Sequence, residues 1–259
     1  LPLVHQNNDR SFLDAQLKIY EKVKETQQTF VKDRGRADNI SPEFVADTID
    51  KIAAHDAIFT VDTGMSCVWG ARFLNATGKR ELLGSFNHGS MANAMPQAIG
   101  AALARPDQQV VAFCGDGGLS MLLGDLATIV QYNLPIKVVV FDNRSLGMVK
   151  LEMEVAGLPQ WQTDMYNPDF ATVAMAMGMK GLCISEPDKV NELMEEAFAY
   201  EGPILIHVKT NPNSLAMPPK IEFSQMKGYA ITMGKLIING RMDEVLETVK
   251  SNYKHLKEL

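Results

Sequence analysis

The chain has 259 residues, of which 46% are hydrophobic and 22% charged, enough to bury a substantial core in one domain with appendages. Its formal net charge of −6 leaves no electrostatic footprint for nucleic acid. With no secretory leader pattern and no run of about 18 apolar residues, a cytoplasmic protein without a membrane span is expected.

The three cysteines, Cys67, Cys114 and Cys183, are widely spaced and set in apolar surroundings. They read as buried thiols of a reducing compartment and not as a disulfide set or a metal cluster. Leu1 is not an initiator methionine, and a polar opening leads into a lone amphipathic helix, Ser11 to Lys32. Residues 1–36 therefore read as the remnant of a preceding domain and its linker, and the chain as a fragment. After a charged connector, Ser41 offers a helix cap and Pro42 suits the first helical position, with the helix running to about Ala54. Strands then alternate with helices. Strands are expected at Ala57 to Asp62, Gln109 to Cys114, Ile136 to Asp142, Gly181 to Ser185 and Pro203 to Lys209. Helical patterns fall at Val68 to Leu74, Ala92 to Ala104, Gly118 to Gln131, Leu146 to Val155, Asp169 to Met177 and Asp188 to Tyr200. The fold class is α/β, an open, doubly wound, mostly parallel sheet covered by helices on both faces, over residues 37–212. From residue 213 the pattern changes to prolines and two helical segments without strands, a helical tail over 213–259.

Gly115-Asp116-Gly117 closes the apolar run that begins at Val110, and Asn143 closes the next one. A right-handed parallel crossover opens the tips of both strands at one edge of the sheet, so Asp116 and Asn143 can meet. A dinucleotide fingerprint fits poorly, since Ser120 stands at the third glycine position and a bare carboxylate repels a pyrophosphate. A hard divalent cation resolves the repulsion, bound by the Asp116 carboxylate, the Asn143 amide oxygen, a backbone carbonyl and diphosphate oxygens. Mg2+ is expected, with Ca2+ or Mn2+ able to substitute. Gly117 and Gly118 let the backbone approach the phosphates. The competing reading is an ordinary strand-to-helix turn with Asp116 as its cap.

Gly115-Asp116-Gly117 with Asp142-Asn143 resembles the thiamine diphosphate binding motif, which usually ends in Asn-Asn and from which this chain departs at Asp142. The segments Leu83 to Ala102 and Gly147 to Glu152 are similar to bacterial pyruvate oxidases, particularly the quinone-reducing kind. The resemblance implies thiamine diphosphate, Mg2+ and FAD as cofactors. It also implies oxidative decarboxylation of pyruvate, electrons passing through FAD to quinone or oxygen, with acetate or acetyl phosphate as product. It further implies a homo-oligomer, dimer or tetramer, in which the glutamate that activates the cofactor comes from another domain. The alternatives are an acetolactate synthase-like or other thiamine diphosphate-dependent decarboxylase or carboligase, and a cofactor-binding module without turnover. The His-Gln pair that carboligases of this family carry near Asp62 to Ser66 is absent here.

Gly64 and Ser66 follow the first strand and should lie at the same carboxyl edge as Asp116, as candidate diphosphate contacts through backbone amides and a hydroxyl; an ordinary strand-to-helix turn is the competing reading. The resemblance puts Met91 under the bent cofactor, with backbone groups of Gly89 and Met91 at its pyrimidine edge. Gly115 lies in the same loop as Asp116, and the Ser145 main-chain carbonyl joins Asp116 and Asn143 on the metal. Asn87 and His88 are candidates for flavin or substrate contacts. Met148 and Glu152, four apart on one helix face, are expected to look toward the reacting carbon as the catalytic pair. Blander readings stand beside these: Met91 as a core residue, His88 in a local hydrogen bond, Glu152 as a surface carboxylate paired with Lys150 or Arg144. From Arg241 onward, Met242, Val245, Leu246, Val249, Tyr253, Leu256 and Leu259 recur at helical spacing. Packing on the domain or on a sister subunit accounts for that stripe. The resemblance adds a conditional anchor to membrane lipid at the inner face of the cell membrane.

Overall fold

The computed structural model describes residues 9–214 and 223–252. The first helix, α1 (Ser11–Val31), stands largely in solvent and buries only Gln27, Phe30 and Val31 at its C-terminal end. A two-residue antiparallel pair, β1 (Gly35–Arg36) and β2 (Asn39–Ile40), occupies what the sequence presents as a connector. α2 (Pro42–Ile52) begins as expected: Ser41 is extended and its hydroxyl accepts from the Phe44 amide at 3.3 Å.

The main sheet contains β3 (Ile58–Val61), β4 (Glu81–Gly84), β5 (Val110–Gly115), β6 (Lys137–Asp142), β7 (Lys180–Ile184) and β8 (Ile204–Lys209), in the order β4-β3-β5-β6-β8-β7. Every pairing within it is parallel. β4 was not expected. It pairs on one side only and its first three residues are exposed, so neither alternation nor a continuous apolar run marks it. The central strands are buried on both faces, and alternate residues feed two cores. Val111 and Phe113 join Phe59, Trp69 and Phe141 on the face covered by α2, by α3 (Met65–Phe73) and by α9 (Val190–Ala199). Val110, Ala112 and Cys114 face α4 (Ala94–Ala104), whose buried residues Ala94, Ala98, Ala101 and Ala102 let it lie close to the sheet.

The expected helix from Gly118 to Gln131 is two helices, α5 (Asp116–Met121) and α6 (Leu126–Gln131), separated by a 3-10 turn at Leu123–Asp125. Gly117, Gly118 and Gly124 make the stretch a poor continuous helix. α7 (Gly147–Val155) follows β6, and α8 (Phe170–Ala176) precedes β7. In the tail, α10 (Phe223–Ile238) packs on α7. The Thr232 hydroxyl donates to the Glu154 carbonyl at 2.9 Å and the Lys235 ammonium to the Gly157 carbonyl at 2.8 Å, satisfying the C-terminal end of α7. α11 (Met242–Asn252) buries Val245, Thr248 and Asn252, while Met242, Leu246 and Val249 remain exposed. The described part of the tail is thus packed on its own domain. The remainder of the sequence stripe, Tyr253, Leu256 and Leu259, lies outside the described residues. Among the described residues no helix is long and apolar enough to cross a membrane.

One buried ion pair ties α2 to the start of β4. Arg80 donates to Asp50 Oδ1 at 2.6 Å and to the Ala53 and Ala54 carbonyls, with both charged side chains only 8% exposed. Arg80→Ala takes away the countercharge of the buried Asp50 carboxylate, which keeps only its hydrogen bonds from Asn75, and is expected to cost about 3 kcal/mol, measured by urea unfolding.

Candidate functional site

β3 and β5 are neighbours whose following helices, α3 and α5, leave to opposite faces of the sheet, which opens a crevice at their carboxyl ends. A cavity of about 250 Å3 lies there. It takes Asp62, Gly64 and Ser66 from the end of β3, Gly115 to Gly118 from the end of β5, and Asn143, Ser145 and Met148 from the end of β6 and α7. Gly89 and Met91 come from the loop before α4. Apart from Asp62, these are residues expected to gather, and three further expected residues do not join them. Asn87, His88 and Glu152 are exposed and do not line the cavity. Glu152 is one helical turn beyond Met148, but α7 turns its side chain outward there, so the expected pair splits and only Met148 faces the site. The expected partners of Glu152 are engaged elsewhere: Lys150 donates to Asn213 at 3.4 Å and Arg144 to the Asp38 carbonyl at 3.2 Å.

Asp116 is the first residue of α5, with Gly115 in the capping position. Its Oδ1 accepts from its neighbour Gly117 at 3.0 Å and its Oδ2 from Asn167 Nδ2 at 2.7 Å. Burial is the largest influence on this carboxyl and, with the nearby Asp142 charge, pushes its pKa up to about 7. Among the described residues no basic side chain pairs with it, and a buried carboxylate in that position is one that a cation would stabilise. The Asn143 side-chain oxygen accepts from the Ser145 amide at 3.0 Å, and the Ser145 hydroxyl is buried without a hydrogen-bond partner. The Ser145 carbonyl accepts from Gly147 at 2.8 Å and keeps a second lone pair. The available donors are thus all oxygens, the set a hard divalent cation prefers.

Bare backbone forms part of the wall. Gly64 has φ +141°, and a Cβ built there meets nothing within 4 Å; at Gly115 it meets only the Ser66 hydroxyl, at 3.9 Å. Side chains at either glycine would project into open space, which suits close approach of a phosphate chain. Met91 closes the floor, its Cε within 3.3 Å of a Cβ built on Gly117.

The match to the family model described as "Thiamine pyrophosphate enzyme, C-terminal TPP binding domain" runs over residues 62–208, from the carboxyl tip of β3 into β8. The chain belongs to the thiamine pyrophosphate enzymes. It is 32% identical over 254 residues to the putative thiamine pyrophosphate-containing protein YdaP of Bacillus subtilis, a match covering 98% of this chain and 43% of that protein. It is 35% identical over 176 residues to the probable acetolactate synthase large subunit of Methanococcus aeolicus, 63% of this chain and 28% of the relative. To the acetolactate synthase isozyme 2 large subunit of Escherichia coli it is 34% identical over 157 residues, 59% and 28% of the two chains. The chain therefore spans less than half the length of these relatives.

As a thiamine pyrophosphate enzyme domain the chain departs from the usual motif at Asp142, and the structure supplies a physical account of the departure. Asp142 is buried and accepts from His207 Nε2 at 2.7 Å, from Asn167 Nδ2 at 2.7 Å and from the Arg144 amide at 3.1 Å. Burial alone would raise its pKa, but the His207 and Asn167 hydrogen bonds and the His207 charge outweigh it and hold the carboxyl below its usual range. An acidic residue is accommodated here because a histidine faces it from β8. Asn167, which joins Asp142 to Asp116, and His207 were both missed from the sequence. No motif marks them, since each comes from far along the chain and meets the site only through the β6–β8 pairing and the loop before α8.

Asp62 also emerges only in the structure. Its Oδ1 accepts from the Ala94 amide at 2.8 Å, its Oδ2 is buried without a partner, and burial pushes its pKa up to about 6. An acid whose folded pKa is raised favours the folded state below its unfolded pKa, and that contribution is lost as pH rises from about 4 to about 6. Wild type should therefore lose, relative to Asp62→Asn, on the order of 3 kcal/mol of stability across that window. Thermal melts of both proteins from pH 4 to pH 7 check this.

Proposed function

We propose that this chain is the metal- and diphosphate-holding part of an enzyme that decarboxylates a 2-keto acid such as pyruvate on thiamine diphosphate. The observation that carries the reading is the buried Asp116 carboxylate beside a glycine-walled cavity at the sheet's switch point, with Asn143 in the same wall. Asp116, Asn143 and the Ser145 carbonyl would hold Mg2+, and the cation would screen the diphosphate from Asp116. Gly64 and Gly115 give the diphosphate room at the strand tips, with the Ser66 hydroxyl beside them. Met91 and Met148 form the apolar walls that keep water from the reacting end. When bound, thiamine diphosphate supplies the electron sink that accepts the pair released by decarboxylation.

For the fate of the decarboxylated fragment, the names of the relatives favour carboligation, as in an acetolactate synthase, over the oxidase expectation. A second reading, oxidation through FAD to quinone or oxygen, rests on the segments Leu83 to Ala102 and Gly147 to Glu152 and on the absent His-Gln pair. Asn87, His88 and Glu152, outside the cavity, would act only through contacts supplied from beyond this chain. The test is to express the complete reading frame, supply pyruvate, thiamine diphosphate and Mg2+, and measure acetolactate against acetate together with dye-acceptor reduction and flavin absorbance. Acetolactate without flavin-linked acceptor reduction supports carboligation. Acceptor reduction with bound flavin supports the oxidase. Cofactor binding without carbon dioxide release leaves only a binding module and overturns the proposal.

A further inference from the structure

Cys183 in β7 and His207 in β8 are cross-strand partners in the parallel register, at the end of the sheet opposite β4. Asp169, which caps α8 by accepting from the Thr172 amide at 3.1 Å, sits against the same pair. One ligand atom from each of the three residues lies within 4.8 Å of the other two. His207 is 1% exposed, and its Nε2 lies 2.7 Å from Asp142 Oδ2. An ionised carboxylate only accepts, so Nε2 carries the hydrogen, and the ring is held with Nδ1 toward Asp169 Oδ1, 3.5 Å away. Nδ1 is buried and, among the described residues, has no hydrogen-bond partner at closer range than that carboxylate. Phe170 packs edge-on against the ring, with centroids 5.3 Å apart, and limits its rotation.

An imidazole that donates one nitrogen to a carboxylate and turns the other toward a thiol and a second carboxylate has the arrangement of a metal-ligating histidine, with a cation taking the place of the proton that the charged ring carries beside Asp142 and Asp169. We propose that Asp169, Cys183 and His207 form a binding site for a borderline-soft divalent cation of the Zn2+ or Co2+ kind, separate from the hard-cation site at Asp116. The sulfur and nitrogen donors select against Mg2+ and Ca2+, which the all-oxygen set at Asp116 suits. Tetrahedral zinc with bonds of about 2.0–2.3 Å brings its ligands to about 3.3–3.8 Å from one another. Nδ1 and Asp169 Oδ1 already stand at 3.5 Å, and the remaining separations, all within 4.8 Å, need to close by at most roughly 1 Å. The Asp169 side chain is 53% exposed, which leaves a solvent path to the site, and its carboxylate caps α8 while facing Nδ1. Uptake forms one bond each to sulfur, nitrogen and oxygen and releases the thiol proton and the Nδ1 proton of the charged imidazole to solvent; no electron is transferred. Wide spacing in sequence argues against a cluster of cysteines, but it does not reveal a mixed set that two paired strands and a helix cap assemble.

Variants of His207 would also unpair Asp142, so the test uses Cys183 and Asp169. The 259-residue chain is titrated with Co2+ in excess Mg2+ and read by absorbance. The expected result is a cobalt–thiolate charge-transfer band that saturates at one Co2+ per chain, is erased by Zn2+ and persists in Asp116→Ala. Cys183→Ser should abolish the band. Asp169→Asn, which keeps the helix cap, should weaken Co2+ binding about tenfold or more. Absence of the band from the wild type, or its survival at full strength in Cys183→Ser, would overturn the site. If Cys183→Ser fails to fold by circular dichroism, Asp169→Asn decides, and an unchanged Co2+ affinity there overturns it equally.

Discussion

Asp116→Ala is expected to weaken Mg2+-dependent binding of thiamine diphosphate by more than about 100-fold while leaving the fold in place. The cation would lose the one carboxylate in its shell, and the amide oxygen of Asn143 and the carbonyl of Ser145 cannot replace a full negative charge. The fold should survive for a separate reason. The carboxylate is buried, has no countercharge among the described residues, and already has its pKa pushed up to about 7, so the interior gives up a poorly solvated group. Asn167 keeps its hydrogen bond to Asp142, and the Asp142–His207 pair that joins β6 to β8 is untouched. Calorimetric titration with thiamine diphosphate at fixed Mg2+, paired with thermal unfolding of the same samples, separates loss of affinity from loss of structure. Unchanged affinity in this variant would remove Asp116 from the metal site.

Gly118→Ala should act in the opposite way, on the scaffold first. A Cβ at this position would stand 2.2 Å from Asp62 Oδ2, 2.8 Å from its Cγ and 3.2 Å from the Ala92 amide nitrogen. Asp62 cannot swing aside cheaply, because its other oxygen is held by the Ala94 amide. Ala92 is itself in the left-handed region at φ 61°, so its backbone has little freedom to yield. Relief must come from moving α5 away from the tip of β3, which displaces Asp116 with it. A loss of about 3 kcal/mol in unfolding free energy is expected, together with weakened cofactor binding. Gly100→Ala is the control. Nothing lies within 4 Å of a Cβ there, the position is inside α4, and a gain of up to about 1 kcal/mol is expected.

What the sequence revealed, and what it hid, follows from how far each signal reaches along the chain. The strands at β3, β5, β6 and β8 were legible because buried parallel strands are short apolar runs with a turn after each, the half-buried edge strand β7 because a glycine opens its short apolar run, and the diphosphate loop because its glycines and carboxylate are contiguous. β4 was not, since an edge strand paired on one side leaves its residues exposed and carries no alternation. The break between α5 and α6 was passed over because the apolar spacing continues across it, although Gly124 marks the place. At the site, residues within one loop were found together, whereas Asn167 and His207 reach Asp142 across tertiary pairings that no local pattern announces. The placing of Glu152 failed on geometry: four residues along a helix share a face only approximately, and at the end of a cavity one turn is enough to leave it.

The measurement that bears most directly on the central claim is calorimetric titration of this chain with thiamine diphosphate, once with Mg2+ and once with all divalent cations chelated, with thiamine lacking phosphates as a third ligand. Binding that appears only with both the cation and the diphosphate is the predicted result, because Asp116 and a bare diphosphate repel each other without a metal between them. Equal affinity in the presence and absence of divalent cation, or equal affinity for thiamine and its diphosphate, would contradict a metal–diphosphate site at the tips of β5 and β6.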